Sequence, residues 1–168
     1  DARFALDVRR RFLESYATVV LGVPQAAFDA LLGRRRVEQL ELPELEALVT
    51  EIERCVAHES GSSVPDDPYE QLRAAILGVL RSWRSERASK YREAHGISET
   101  DGTGVTVQAM VFGNLPEGSG AGVVFSRNPS TGERTLYGEW LANVQGEDVV
   151  SGRHTPNPLT RADRKSVV

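Results

Sequence analysis

Residues 123–141, VVFSRNPSTGERTLYGEWL, contain the pattern that decides the fold of the second half of this chain. Residues 123–127 and 134–141 are rich in β-branched and aromatic side chains, as strands commonly are. Between them lies NPSTG, in which Pro129 pre-sets its own φ and Gly132 can adopt a positive φ, a combination typical of a tight turn. The stretch therefore predicts two antiparallel strands joined as a hairpin.

The sequence on either side of this hairpin predicts further β structure. Side chains alternate in polarity along residues 105–112, which predicts a half-buried strand. Residues 113–122, GNLPEGSGAG, are a glycine-rich segment that we expect to form a loop between two strands. Residues 148–150 are a candidate fourth strand, and we expect Pro156 and Pro158 to interrupt the pattern after it.

The first half of the chain has a different periodicity. Residues 1–97 contain few glycines, and their apolar side chains recur every three or four residues, as in amphipathic helices. Five helices are predicted, beginning near Phe4, Pro24, Pro43, Tyr69 and Glu86. Residues 96–104, GISETDGTG, form the connector. We therefore predict an α+β fold, with a helical subdomain at residues 1–97 and an antiparallel β-rich lobe at residues 98–168.

The composition is that of an ordinary globular chain. Its 168 residues are 40% hydrophobic and 26% charged, with a formal net charge of −4. No run approaches the ~18 apolar residues of a membrane span, and an acidic balance argues against nucleic acid held by bulk charge. The lone cysteine, Cys55, cannot form an internal disulfide. Because the chain starts at Asp1 without a signal-like stretch, we expect an internal piece of a longer intracellular protein.

The glycine-rich segment is the first candidate for chemistry. Glycines allow backbone N–H groups to approach a phosphate closely, so the segment is a candidate phosphate loop. It is not a Walker A motif, because the only lysines, Lys90 and Lys165, do not follow a glycine. It also lacks the dinucleotide-binding spacing and precedes a strand rather than a helix. A plain loop between strands is the alternative interpretation.

Three carboxylates form the second candidate. Glu139, Glu147 and Asp148 lie close to glycines and predicted strand ends, where carboxylates can hold Mg²⁺ or a ribose hydroxyl. Exposed carboxylates at strand ends are common without any ligand, so the residues alone leave both interpretations open.

Four collinear segments in the second half resemble the nucleotide-binding domain of the pyruvate phosphate dikinase family. They are VTVQAMVFGN (105–114), GVVFSRNPSTGE (122–133), YGE (137–139) and QGEDVV (145–150) followed by Thr155 and Pro156. In the first half, RFA (3–5), RRF (10–12), RSW (81–83) and YR (91–92) resemble the helical insert of that family. The resemblance covers essentially the whole chain.

The resemblance implies an ATP-grasp fold, in which ATP lies between two α+β lobes beside a helical insert. The family transfers the β-phosphate of ATP through a phosphohistidine to pyruvate, which yields phosphoenolpyruvate, AMP and pyrophosphate and requires Mg²⁺. It further implies that the partners of this piece are the other ATP-grasp lobe, the phosphohistidine domain and a pyruvate-binding barrel. The catalytic histidine, the phosphate-clamping Lys and Arg and the metal-binding acids belong outside these residues, so the piece alone is expected to be inactive.

Eight positions are carried over from the family as ATP-binding. Gln108 and Met110 match the strand that passes the adenine, and Glu147 matches a carboxylate of the nucleotide site. Gly118, Ser119, Gly120, Ala121 and Gly122 match the loop over the polyphosphate. Ala121 departs from the threonine usual there, which removes a hydroxyl able to contact phosphate. Arg127 and Glu139 also lie in matching segments, where an ion pair that braces the hairpin is an alternative role.

Two further functions are kept as alternatives. Phosphoenolpyruvate synthase and rifampin phosphotransferase use related ATP-binding domains with other acceptors. A non-catalytic docking or regulatory module could retain the lobe, which Ala121 favours. From the composition and the lack of a signal-like stretch, we expect a cytoplasmic location with no nucleic-acid or membrane partner. The resemblance is also compatible with a homodimeric parent, although the sequence does not give the oligomeric state.

Overall fold

The computed structural model of the protein describes residues 1–115, 118–152 and 155–159. It divides into two compact units, which we call the helical unit (residues 1–107) and the β unit (the described residues from Gln108 onward). The regular elements of the helical unit are all helices, whereas the β unit carries a small antiparallel sheet and one short helix. The prediction of an α+β fold is therefore confirmed.

Five α-helices build the helical unit, as the periodicity predicts. They are α1 (Ala2–Tyr16), α2 (Gln25–Leu32), α3 (Leu42–Ser60), α4 (Pro68–Ser82) and α5 (Glu86–His95). A π-helical turn, Ala17–Leu21, extends α1, and a 3-10 turn, Val37–Gln39, precedes α3. The first turns of α1, α4 and α5 donate backbone N–H hydrogen bonds to the side chains of Asp1, Asp67 and Ser85. Such caps fix where each helix begins.

The core of the helical unit lies where α1 and α2 pack against α3. Phe28, Leu48 and Ile52 are completely excluded from solvent, with an exposed fraction of 0%. The stripes predicted for α2 and α3 mark their buried faces. The stripe predicted for α1 is wrong in part, because its members Phe12 and Val19 are 38% and 58% exposed and the buried face of α1 lies beside them. Burial of such side chains supplies about 1.5–3 kcal/mol each, so this cluster is the main source of stability in the unit.

Helix α4 buries less apolar surface than its periodicity predicts. Tyr69 is 79% exposed and Leu80 is 44% exposed. The buried residue of α4 is Gly78, where an added Cβ would lie 3.2 Å from the carbonyl oxygen of Val19. Helix α4 thus meets the π-helical turn through a glycine, and most of its larger apolar side chains remain exposed.

The chain that follows α5 is tied to the helical unit by Arg92, which is 2% exposed. Its guanidinium donates to the two carboxylate oxygens of Glu99 at 3.0 and 2.7 Å and to the Trp83 carbonyl oxygen at 2.6 Å. It also lies 4.0 Å from the centroid of the Trp83 ring. The hydrogen bond from Arg92 holds the pKa of Glu99 below its usual range. The first part of the predicted connector, as far as Glu99, is therefore attached to helix α5.

Three strands and one helix make up the β unit. Strands β1 (Gly120–Phe125), β2 (Tyr137–Ala142) and β3 (Asn157–Pro158) form an antiparallel sheet in that order, and helix α6 (Gly146–Val150) follows β2. The register pairs Gly120 with Ala142 and Phe125 with Tyr137. The predicted hairpin is confirmed. Its turn is closed by the side chain of Asn128, which accepts from the N–H groups of Ser130 and Thr131 at 2.8 and 3.2 Å.

Three predictions for the second half are wrong. Residues 105–112 form no strand and are mostly exposed, because no described strand pairs with them and alternation alone cannot supply a ladder. Residues 148–150 belong to α6 rather than to a strand, since a capping box between Gln145 and Asp148 starts a helix there. Pro158 lies within β3 at the sheet edge, where a missing N–H is tolerated. The predicted lobe also includes residues 160–168, which lie outside the described residues.

Candidate functional site

The glycine-rich segment divides between a turn and a strand. Gly118, with a φ of 69°, and Ser119 precede β1, whereas Gly120, Ala121 and Gly122 lie within it. The prediction of a loop is therefore wrong for the last three residues. Pro116 and Glu117, which the prediction also included, lie outside the described residues.

The glycines of β1 bring its backbone unusually close to β2. A Cβ at Gly120 would lie 2.6 Å from the carbonyl oxygen of Leu141, and one at Gly122 would lie 2.8 Å from that of Glu139. These positions therefore exclude any larger residue for reasons of strand packing alone. Since β1 is the first strand of the sheet, its other edge has no described partner strand. That edge therefore carries backbone groups without a described partner strand, although the chain at Gly113 lies against the carbonyl oxygen of Gly120.

Gly113 is in the tightest position of the β unit. A Cβ there would lie 2.2 Å from the carbonyl oxygen of Val144 and 2.9 Å from that of Gly120. Both distances are too short for any side chain, because real Cβ atoms essentially never approach backbone atoms within 3.0 Å. The backbone that enters the glycine-rich segment therefore lies directly against the chain that leaves β2.

Two hydrogen bonds join the same two stretches of chain. The Nε2 group of Gln145, a residue only 5% exposed, donates to Oδ1 of Asn114 at 2.7 Å. On the far side of the turn, the N–H of Asn143 donates to the carbonyl oxygen of Ser119 at 2.9 Å. Asn143 adopts a φ of 54°, a left-handed conformation that asparagine tolerates better than most residues. We call these contacts, together with Gly113 and Val144, the loop anchor.

Helix α6 begins at the loop anchor. Gln145 is its N-cap residue, and the Gln145 N–H donates to Oδ2 of Asp148 at 2.9 Å while the Gln145 side chain accepts from the first turn. Asp148 is thus engaged in the cap. Glu147 lies in the same turn with an exposed side chain, two residues after Gln145. Glu147 therefore follows directly on the loop anchor, which also holds the glycine-rich segment.

The remaining predicted site residues are placed less tightly. Gln108 and Met110 belong to the irregular, exposed chain before Gly113, and Met110 is 65% exposed. All eight predicted residues lie in the β unit. The alternative role for Arg127 and Glu139 as an ion pair is not found among the described residues. Arg127 instead donates to the carbonyl oxygen of Gly132 at 3.2 Å, within the hairpin turn.

Sequence reasoning missed the residues that hold this arrangement together. Asn114 and Gln145 were part of the matching segments, but neither was predicted to have a role. The sequence QGED carries this signal only in its spacing, because a capping box usually has Ser or Thr at the N-cap and Glu or Gln three residues later. The contact between Gln145 and Asn114 spans 31 residues and has no local sequence signature.

Some ligand classes can be tested against the described residues. Among them, no group of three or more His, Cys, Asp and Glu side chains could hold a metal ion. Within the same part of the chain, no helix is long and apolar enough to cross a membrane.

The helical unit has a groove of about 710 Å³ of its own. Its walls are formed by α1, α3 and the turn before α4, with Phe4, Val8 and Val64 among the apolar lining residues. Arg9 and Glu53 meet at this groove in an ion pair, with Arg9 Nε 3.0 Å from Glu53 Oε1. None of the predicted nucleotide-binding residues lines it. The groove is therefore a feature of the helical unit alone.

Comparison with protein families decides the relationship. Residues 30–168 match the family model described as "Pyruvate phosphate dikinase, AMP/ATP-binding domain". The chain belongs to this family. The resemblance carried by the four segments is thereby confirmed, and the match to this AMP/ATP-binding domain family spans the whole β unit and most of the helical unit.

Named relatives agree with this family. The chain is 46% identical over 164 residues to "Pyruvate, phosphate dikinase 2" of Oryza sativa subsp. japonica, an alignment covering 94% of the chain and 18% of that protein. It is 44% identical to the pyruvate, phosphate dikinase of Rickettsia bellii, in an alignment that covers 99% of the chain and 20% of that protein. It is 46% identical to the pyruvate, phosphate dikinase of Rhizobium meliloti, in an alignment that covers 98% of the chain and 19% of that protein. The chain thus spans about a fifth of the length of these relatives.

Proposed function

We propose that the chain forms part of the ATP-binding domain of a pyruvate phosphate dikinase. The observation that carries the proposal is the match of residues 30–168 to the AMP/ATP-binding domain family, which extends over every residue predicted to contact ATP. The whole enzyme would convert ATP, pyruvate and phosphate into phosphoenolpyruvate, AMP and pyrophosphate through a phosphohistidine. An ATP-grasp fold is part of this proposal, with the β unit as one wall of the nucleotide cleft.

Within the β unit, the glycine-rich segment would face the polyphosphate. Gly118 and Ser119 form the turn, and β1 offers backbone groups along the edge that has no described partner strand. Phosphoryl transfer depends on fixed dipoles aimed at the phosphates, and backbone N–H groups supply them without reorganisation. Ala121 contributes no hydroxyl, so in this protein the turn must rely on Ser119 and the backbone.

The other predicted contacts would address the nucleoside. Met110 is an exposed, flexible apolar side chain suited to pack against a purine, and Gln108 lies two residues before it. The exposed carboxylate of Glu147 would accept from ribose hydroxyls. Mg²⁺ would arrive with the phosphates, because proteins usually bind it through one or two carboxylates together with the phosphates of the substrate. A cytoplasmic location and a homodimeric whole enzyme stay predictions.

Turnover of the whole enzyme tests the proposal. Glu147→Ala should lower ATP-dependent phosphoenolpyruvate formation by about tenfold or more, the effect of losing one charged hydrogen bond to a substrate. Glu133→Ala, which removes an exposed carboxylate from the hairpin turn of the same unit, is the matched control and should leave turnover unchanged. Wild-type turnover in Glu147→Ala would remove Glu147 from the site. Absence of turnover in the wild-type protein, with Mg·ATP bound, would favour a non-catalytic module.

A further inference from the structure

The loop anchor fastens the glycine-rich segment at two places to the chain that enters α6. Asn114 accepts from the Gln145 side chain, and Ser119, in the turn before β1, accepts from the Asn143 N–H. The two donors are two residues apart. Glu147 follows Gln145 by two residues. A displacement of the turn must therefore either break these bonds or move the start of α6.

Gln145 occupies the centre of this arrangement. Its side-chain amide donates to Asn114 and accepts from the first turn of α6. Its backbone N–H donates to the side chain of Asp148. It is 5% exposed, so these groups have little access to water that could replace a lost partner. Leaving a buried polar group unpaired costs more than the net gain of making the bond. This free-energy cost opposes any separation of the glycine-rich turn from α6.

We propose that Gln145 is a positioning residue that holds the glycine-rich turn and Glu147 in one fixed relation, so that both can contact the same nucleotide. The proposal rests on the proposed function, since it assumes that the turn and Glu147 bind ATP. Gln145 itself does not need to touch the nucleotide. Its contribution is pre-organisation, because a site that is already ordered loses less entropy when the ligand binds.

Pairs of variants can separate this role from simple stabilisation. Asn114→Ala removes the acceptor of Gln145, whereas Asn114→Asp keeps an oxygen in the same place. We expect Asn114→Ala to weaken binding of Mg·AMP-PNP, a non-hydrolysable ATP analogue, by about tenfold, and Asn114→Asp to restore most of it. Binding is followed by titration of the full chain in 1H–15N spectra, which detect weak complexes.

A double-variant cycle tests whether Gln145 and Asn114 act as one link. If they do, the double variant that carries both Gln145→Ala and Asn114→Ala binds the analogue no more weakly than the single variant Gln145→Ala. Hydrogen exchange at the Asn143 N–H, which the Ser119 carbonyl protects, should become faster in Asn114→Ala. The control is Asn128→Ala, which removes the side-chain hydrogen bonds of the hairpin turn. It should lower the melting temperature but leave affinity for the analogue unchanged.

The outcomes distinguish the two proposals. Wild-type affinity in Asn114→Ala, equal losses in Asn114→Ala and Asn114→Asp, or additive losses in the cycle would each overturn the positioning role and leave the proposed function intact. A parallel loss of affinity in Asn128→Ala would show that stability alone controls binding, and would overturn it too. No binding of Mg·AMP-PNP by the folded whole enzyme that contains this chain would instead contradict the proposed function.

Discussion

The contacts that stabilise the helical unit from within differ in kind from those that stabilise the β unit. In the helical unit, large apolar side chains such as Phe28, Leu48 and Ile52 fill a core between helices. In the β unit, backbone lies directly on backbone at Gly113, Gly120 and Gly122. Side-chain packing tolerates small adjustments, whereas backbone contact at these distances tolerates none. The β unit is therefore the more sensitive of the two to small substitutions, and it is also the one predicted to bind nucleotide.

Gly113→Ala should have the largest effect. The added Cβ would lie 2.2 Å from the Val144 carbonyl oxygen, a backbone atom that cannot rotate away. We expect a loss of about 4 kcal/mol or more, enough to unfold the β unit while the helical signal in circular dichroism persists. Gly146→Ala is the control, since no atom lies within 4 Å of its added Cβ. Equal melting curves for the two variants would contradict the backbone-contact account.

Leu48→Ala should have the next largest effect, and in the other unit. Leu48 is 0% exposed, so its truncation leaves a cavity in the core and should cost about 3 kcal/mol. Chemical denaturation followed by circular dichroism at 222 nm measures the loss. Leu80→Ala, at a site 44% exposed on α4, should cost less than about 1 kcal/mol. A similar loss in both variants would show that the core of the helical unit has been misplaced.

Asp7→Asn should have the smallest effect, and it should depend on pH. Burial raises the pKa of Asp7, but Arg10 and Arg11 outweigh that effect, so the pKa lies below its usual range. Arg10 donates to Asp7 Oδ1 at 2.8 Å and Arg11 to Oδ2 at 2.9 Å. A lowered folded-state pKa gives stability that is present above the unfolded carboxyl pKa of about 4 and is lost as the pH falls through the folded value.

The wild-type protein should therefore be about 1 kcal/mol more stable than Asp7→Asn at pH 7, and this difference should vanish towards pH 2. Urea denaturation at a series of pH values measures both curves. Asp101→Asn, at an exposed carboxyl of the connector, should reproduce the wild-type curve. A difference between wild type and Asp7→Asn that persists unchanged at pH 2 would show that the ion pairs are not its source.

The sequence predicts the helical unit well because its order is local. Helical periodicity, caps such as Asp67 and Ser85 and terminating glycines all act within a few residues, so all five helices could be located. Burial was harder to predict. The apolar stripe of α4 looked like a core face, but α4 meets its neighbour through Gly78, and Tyr69 stays exposed. Periodicity indicates which residues share a face, not whether that face is covered.

The β unit shows where sequence reasoning stops. The hairpin carries its own turn signal and was predicted. The strand expected at residues 105–112 lacks a described partner, and strand formation depends on a partner that a local pattern cannot reveal. The candidate site was located through the resemblance, not through spacing. Its anchor, the hydrogen bond from Gln145 to Asn114, joins residues 31 positions apart and emerged only with the structure.

We propose that nucleotide binds to the β unit at the glycine-rich turn. The most direct test of this proposal is a 1H–15N titration of the chain with Mg·AMP-PNP, followed residue by residue. We predict shifts of the Gly118, Ser119 and Glu147 amides, with those lining the helical groove, such as Val8 and Val64, unchanged. Shifts confined to the groove of the helical unit, with the glycine-rich turn unaffected, would contradict the account.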